Sequence, residues 1–297
     1  MEFTGITTML DESPVLYRLG LRLEPGHVTV VMGPSGAGKT TLVRHLAGLT
    51  RPGRGSVTVD GRDVWTADEA GLRSIRQDLS VLFGGPSVFE AGLFGSLSVY
   101  DNIAFALQSR GMDDDSVARI TRYRLREMRL HDRASAMPSE LAAHGRKRLA
   151  IARTLAVEAP LLVLDELEVG LDSVHASAVI GAVREQHERT GATVLITTHD
   201  IDLARELGDT VAILCNGHIA ATGTPAQLLN GITDSETFEH RFRTSDFLGP
   251  PDTDSTLAEL ERREGGRMIQ LEPQQMIVAL LAIAFVTSFC VFLLMTR

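Results

Sequence analysis

From residue 33 the chain reads Gly33-Pro34-Ser35-Gly36-Ala37-Gly38-Lys39-Thr40-Thr41, a set of residue types spaced to grip a phosphate chain. The glycines let backbone N–H groups close around phosphate oxygens, Lys39 neutralises charge on the β- and γ-phosphates, and the Thr40 hydroxyl can ligate Mg²⁺. A glycine turn ahead of a core-packed helix would also contain such residues. The apolar run Val28 to Met32 before it and the apolar-periodic stretch after it favour the strand–loop–helix context of a nucleotide cradle.

A second group lies further on. The apolar run Leu161-Leu162-Val163-Leu164 delivers Asp165 and Glu166 at its end, where ligands gather in open α/β sheets. Asp165 would hold Mg²⁺ through its shell, and Glu166 could accept a proton from a water attacking the γ-phosphoryl group. Carboxylates after a strand also serve as helix caps, so the pair draws its meaning from the cradle. A third apolar run, Thr193 to Thr197, ends at Thr198-His199-Asp200. His199 could there hydrogen-bond a γ-phosphate, although alone it would read as structural.

These groups need a scaffold. Strand-like runs recur at Val28–Met32, Val57–Val59, Leu79–Phe83, Leu161–Leu164, Thr193–Thr197 and Val211–Leu214, with helical stretches between several of them, which predicts an α/β domain. Residues 84–160 carry mostly helical patterns, including Val117 to Arg129, and read as a helical insertion between two strands of the core sheet, opened by a joint at Gly84-Gly85-Pro86. After Pro225 the chain turns polar; Gly249-Pro250-Pro251 breaks any helix, Asp252 to Ser255 reads as loop, and residues 231–274 are expected to form an extension and linker.

The chain has 297 residues, is 44% hydrophobic and carries a formal charge of −9, enough apolar material for a globular core and the wrong sign for nonspecific nucleic-acid binding. Cys215 and Cys290 are its only cysteines, which argues for a reducing compartment rather than a disulfide framework. No basic stretch followed by an apolar one marks the start as a secretory signal. Met276 to Met295 is apolar except for Thr287 and Ser288, about twenty residues that at about 1.5 Å each would cross a bilayer. Arg262, Arg263 and Arg267 precede it and only Arg297 follows, so the bulk of the chain is expected on the cytoplasmic side of an inner or plasma membrane. A buried core helix is the alternative.

The order of these features, with Pro138-Ser139-Glu140-Leu141 before a helix and Gly170-Leu171-Asp172 after the acidic pair, resembles the ATPase subunit of an ABC transporter over about residues 1–230. The resemblance implies a P-loop nucleotide-binding domain with a helical subdomain at about 84–160, to which this chain adds a transmembrane helix at 275–297. It further implies ATP and Mg²⁺, permease partners, and a second ATPase subunit, identical or different, that sandwiches ATP between one cradle and the other signature segment. Within that superfamily, residues 93–105 (Leu93 to Phe105) and Arg146-Lys147-Arg148 look like Mce/Mla-type lipid-transport ATPases, and Phe242 to Pro251 loosely resembles the tail by which such subunits embrace each other.

Several positions depart from the family. Where Leu-Ser-Gly-Gly-Gln is usual, the signature segment reads Leu141-Ala142-Ala143-His144-Gly145, lacking the serine hydroxyl and adding bulk where backbone should approach the partner's ATP. Loss of one such charge-assisted hydrogen bond costs about 1.5–3 kcal/mol. Gly84 and Gly85 replace a glutamine and are followed by a short insertion through Gly92, and Leu167-Glu168-Val169 replaces Pro-Thr-Ser. No aromatic stands clearly in place to stack adenine; Phe3, Tyr17 and Met9 are the candidates. These changes leave open a subunit with one impaired site, or one that binds ATP for regulation or assembly with little hydrolysis. A soluble ABC ATPase without permeases is disfavoured by the apolar end.

Overall fold

In the computed structural model of the chain, residues 1–10, 13–84 and 92–243 are described. They begin with the antiparallel strands β1 (Glu2–Leu10) and β2 (Ser13–Arg22), then β3 (Val28–Met32) and helix α1 (Lys39–Leu46). β4 (Arg54–Val59), the short β5 (Arg62–Asp63), α2 (Glu69–Gln77) and β6 (Leu79–Leu82) follow. Three helices come next, α3 (Val99–Gln108), α4 (Asp114–Glu127) and α5 (Ala143–Ala156), then β7 (Leu161–Asp165), α6 (Ser173–Thr190), β8 (Thr193–Thr198) and α7 (Ile201–Leu207). The described part ends with β9 (Thr210–Cys215), β10 (His218–Gly223), α8 (Pro225–Leu228) and α9 (Ser235–Arg243).

Two sheets result. The larger has the order β10-β9-β3-β8-β7-β6, parallel except for β10. Its parallel strands are mostly apolar and buried because both faces are covered. Val30 and Met32 of β3, Leu162 and Leu164 of β7 and Ile196 of β8 face the helical core, whereas Val31, Val163 and Leu195 face a second core beneath the antiparallel sheet β2-β1-β4-β5. The run Val57–Val59 therefore belongs to the antiparallel sheet. β1, β2, β5 and β10 have no counterpart among the expected strands, since their mixed burial gives no continuous apolar run.

Helices α3, α4 and α5 lie between β6 and β7 and pack on one another through Ile103, Leu107, Val117, Leu125 and Leu149. Their lead-in is organised by Asn102, fully buried, whose amide nitrogen donates to the carbonyls of Phe94, Leu97 and Ser98 at 3.0 Å each while its oxygen accepts from the Phe94 N–H. Ser98 caps α3, its hydroxyl accepting from Asp101 N–H.

Residues 235–243, placed by sequence in an extension and linker, form α9. Its Phe238 and Phe242 are buried in the helical core with ring centroids 4.9 Å apart; the remainder of the tail resemblance, 244–251, lies outside the described residues. The apolar run Met276 to Met295 and most of the insertion before Gly92 lie outside the described residues. Among those described, no helix is long and apolar enough to cross a membrane.

α1 also buries a histidine completely. The Nδ1 of His45 lies 2.5 Å from the Thr50 carbonyl and its Nε2 2.7 Å from the Thr8 hydroxyl, an arrangement that suits the neutral ring with its proton on Nδ1. Burial lowers its pKa in the folded state, partly opposed by the Thr50 carbonyl. With the folded value below the unfolded value of about 6.5, His45 contributes stability at neutral pH that is lost as pH falls through that interval. Thermal unfolding of the protein should therefore lose more stability between pH 7 and 5 than that of His45→Gln. Each pH unit between the two values is worth about 1.4 kcal/mol, or roughly 2–4 °C per kcal/mol; parallel profiles would contradict the assignment.

Candidate functional site

Strand order assembles the site. β8 lies between β3 and β7 with Met32 opposite Thr198 and Asp165 opposite Thr197, so the loop after β3, the carboxylates after β7 and His199 after β8 all emerge at the carboxyl edge of the sheet. Neither Asp165 nor Glu166 caps a helix; Asp172 caps α6 and Asp200 caps α7.

The cradle runs from Gly33 into α1. A side chain at Gly33 would strike the Leu214 carbonyl of β9, and one at Gly38, where φ is +101°, would come within 2.6 Å of Leu16 in β2. Both glycines are thus required by neighbouring strands as well as by a ligand's approach. Gly33, Ala37, Gly38 and Lys39 are buried, Ser35 and Gly36 exposed, and Pro34, Thr40 and Thr41 half-buried. The Lys39 ammonium donates to the carbonyls of Gly33 and Pro34 at 2.7 and 3.0 Å. Burial pulls its pKa below the ordinary value while Glu166, Asp165 and Glu168 push it up, so its charge depends on the carboxylates it faces.

Asp165 is completely buried. Its Oδ1 accepts from the Thr197 hydroxyl at 2.5 Å and its Oδ2 from the Gly84 N–H at 3.2 Å. A Cβ at Gly84 would lie 3.0 Å from Asp165 Oδ2 and 3.2 Å from Glu166 Oε2, so the acidic pair presses against the main chain where the family usually has glutamine. Glu166 adopts φ +50°, an uncommon value for a residue with a side chain. Its N–H donates to the Thr197 carbonyl and hydroxyl, each at 3.0 Å, and its carbonyl accepts from the Lys147 ammonium at 2.6 Å. Lys147 is buried, which lowers its pKa against the opposing pull of Glu168, Asp165 and Glu166.

His199 has an exposed side chain, its Nδ1 3.5 Å from Oε1 of Glu168. The structure therefore gathers Lys39, Asp165, Glu166 and His199 at one sheet edge. It adds three residues that motif reading missed: Thr197, which holds Asp165, Lys147, which holds the Glu166 main chain, and Glu168. Lys147 left a sequence signal, a lysine at a core-facing position of an apolar-periodic helix, and Glu168 stood out solely as part of the replacement for Pro-Thr-Ser.

The signature segment forms the start of α5. Leu141 and Gly145 are buried, and Ala142, Ala143 and His144 are exposed. Ala142 occupies the N-cap and gives no side-chain hydrogen bond to the helix. The His144 ring stacks on His175 at 6.0 Å, and His175 Nδ1 lies 2.7 Å from Asp172 Oδ2. Of the adenine-stacking candidates, Phe3 is excluded because it is buried in the core. Tyr17 is half-buried under the Arg18 guanidinium, and Met9 is half-buried beside Leu10, which is 47% exposed.

The ABC transporter family profile matches residues 16–168. The chain is 33% identical to the methionine import ATP-binding protein MetN of Myxococcus xanthus over 244 residues, covering 82% of this chain and 72% of that protein. It is 32% identical to the probable ribonucleotide transport ATP-binding protein mkl of Mycobacterium tuberculosis over 251 residues, 84% of this chain and 68% of the other. Among solved structures, the dimeric post-hydrolysis state of the ATP-binding cassette MJ0796 bound to ADP and Pi superposes with a TM-score of 0.68 at 25% identity, over 75% of this chain and 98% of that one. The chain belongs to the ABC transporter family as an ATP-binding, ATP-hydrolysing subunit.

Proposed function

We propose that this subunit hydrolyses ATP to energise a membrane permease for lipid or another hydrophobic cargo. The observation that carries the hydrolytic reading is the convergence of Lys39, Asp165, Glu166 and His199 at the ends of three adjacent strands. Cradle N–H groups and Lys39 bind the phosphate tail, Glu166 accepts the proton of the attacking water, and His199 contacts the γ-phosphoryl group. The hydroxyl of Thr40 and the carboxylate of Asp165 are hard oxygen donors of the kind Mg²⁺ takes, and Asp165 is oriented by two hydrogen bonds. When bound, Mg²⁺ would neutralise phosphate charge there.

The lipid reading rests on Leu93 to Phe105 and Arg146-Lys147-Arg148. Relatives are named for methionine and for ribonucleotide transport, and cargo choice lies with other subunits of such systems. In the same stretch Phe94 and Phe105 form an exposed edge-to-face pair, 5.1 Å between centroids, an apolar surface suited to a permease segment. The domain layout follows the same reading: a nucleotide-binding domain at 1–230, an extension and linker at 231–274 whose α9 packs into the helical core, and a membrane helix at 275–297. Deleting 275–297 should release the chain from membranes stripped of permease; continued detergent-dependent extraction would count against the helix.

A Lys39→Ala chain should lose at least tenfold in nucleotide affinity, measured by titration with labelled ATP. Glu166→Gln should keep binding but lose about 10²-fold or more in turnover. Nucleotide uptake indifferent to Lys39 would sink the cradle.

The altered signature impairs the site that this chain's α5 serves: one site of two where the partner is a different ATPase with an intact signature, and both sites where the partner is a second copy. Ala142→Ser restores a helix cap and the missing hydroxyl. It should stabilise the chain by about 1 kcal/mol and raise the turnover of the isolated chain about tenfold. Stabilisation with unchanged turnover would show that the signature is not limiting.

A further inference from the structure

Glu168 stands in the turn after β7, 10% exposed, and no helix needs it as a cap, since Asp172 serves α6. Nor is it consumed by an ion pair with the two buried lysines nearby: Lys39 donates to the carbonyls of Gly33 and Pro34, and Lys147 to that of Glu166. Its Oε1 is directed instead at the end of β8, where it accepts from the Thr198 hydroxyl at 2.5 Å and the His199 N–H at 3.4 Å and lies 3.5 Å from His199 Nδ1. Its Oε2 is buried without a hydrogen-bond partner. A buried carboxylate left half-satisfied weakens the fold, and what it gains in return is a hydrogen bond to the His199 main chain and a place 3.5 Å from the ring nitrogen of the same residue.

We infer that Glu168 is a positioning residue for ATP hydrolysis, acting through His199: it anchors the chain at 198–199 and occupies the Nδ1 side of the imidazole, so that Nε2 is the nitrogen presented to the γ-phosphoryl group. This rests on the role given to His199 above. A ring held by a carboxylate at one nitrogen has its tautomer and its rotation set from that side. The proton stays on Nδ1, and Nε2 faces the substrate. Other charged groups around the pair are Asp165 and Glu166 on β7 and its turn, Lys39 on α1, Lys147 on α5 and Asp200 at the start of α7. Among all these charged groups it is Glu168 that lies beside Nδ1.

The test uses the full-length chain in its membrane complex. Glu168→Gln preserves shape and an oxygen for Thr198 but removes the charge; kcat should fall about tenfold with the KM for ATP within about twofold. In a His199→Ala background the same change should cost nothing further, because partners acting as one unit are not additive. Nitrogen NMR of the histidine-labelled chain, with the His199 signals identified by their loss in His199→Ala, should show Nδ1 protonated and should change in Glu168→Gln. If His199→Ala is inactive while Glu168→Gln turns over normally, or if Glu168→Gln costs as much without His199 as with it, the inference fails and the role of His199 stands. Full turnover by His199→Ala would remove both. A His199 spectrum indifferent to Glu168 would overturn the inference even if the variant proved unstable.

Discussion

Buried charge is the constraint on which this structure turns. Lys39 and Lys147 are each 5% exposed and Asp165 is wholly buried, and burial alone disfavours the charged form of any of them. Each is tolerable because opposite charge is close by: both lysines feel Asp165, Glu166 and Glu168. The carboxyl edge of the sheet thus brings buried charges of both signs together, with the ammonium groups themselves hydrogen-bonded to main-chain carbonyls.

The same cluster joins two parts of the molecule with different duties. Lys147 lies one turn beyond the signature residues Ala143 and His144, on the helix whose start would face a partner's nucleotide, yet its ammonium ends on the carbonyl of Glu166. A displacement of α5 is therefore felt at the main chain of Glu166, the residue proposed above as the base. On the other side, His144 stacks on His175, which is tied to Asp172. The signature turn is thus linked within one subunit to both ends of the segment between Glu166 and α6. These contacts form a physical route along which partner engagement and catalysis can inform each other.

Much of this was legible from residue order, because the cradle is local: a strand, a glycine loop and a helix follow one another between Val28 and Leu46, with Lys39 and Thr40 adjacent at the start of the helix. The parallel strands were legible because a sheet covered on both faces must be mostly apolar. What escaped depends on pairing across distance. β1, β2 and β10 alternate or mix exposure and give no run to detect, and α9 hides two buried phenylalanines in a polar stretch. Thr197 and Glu168 look like ordinary strand and turn residues until strand order places them at Asp165 and His199. Phe3 misled for the opposite reason: its ring suggested stacking, but its strand turns it into the core.

Glu166 draws these threads together. Its positive φ is a conformation that costs a side-chain residue of order 1–3 kcal/mol and persists only where the surroundings enforce it. The enforcement is visible: Thr197 accepts the Glu166 N–H twice over and Lys147 takes its carbonyl, so both main-chain polar groups are bound by other elements. Against its carboxylate lies Gly84, where any Cβ would come within 3.2 Å. Replacing the usual glutamine by glycine therefore makes room for a carboxylate already aimed at the substrate edge, and a larger residue at 84 would have to move it. The departure at Gly84 and the strain at Glu166 are two aspects of one local packing solution.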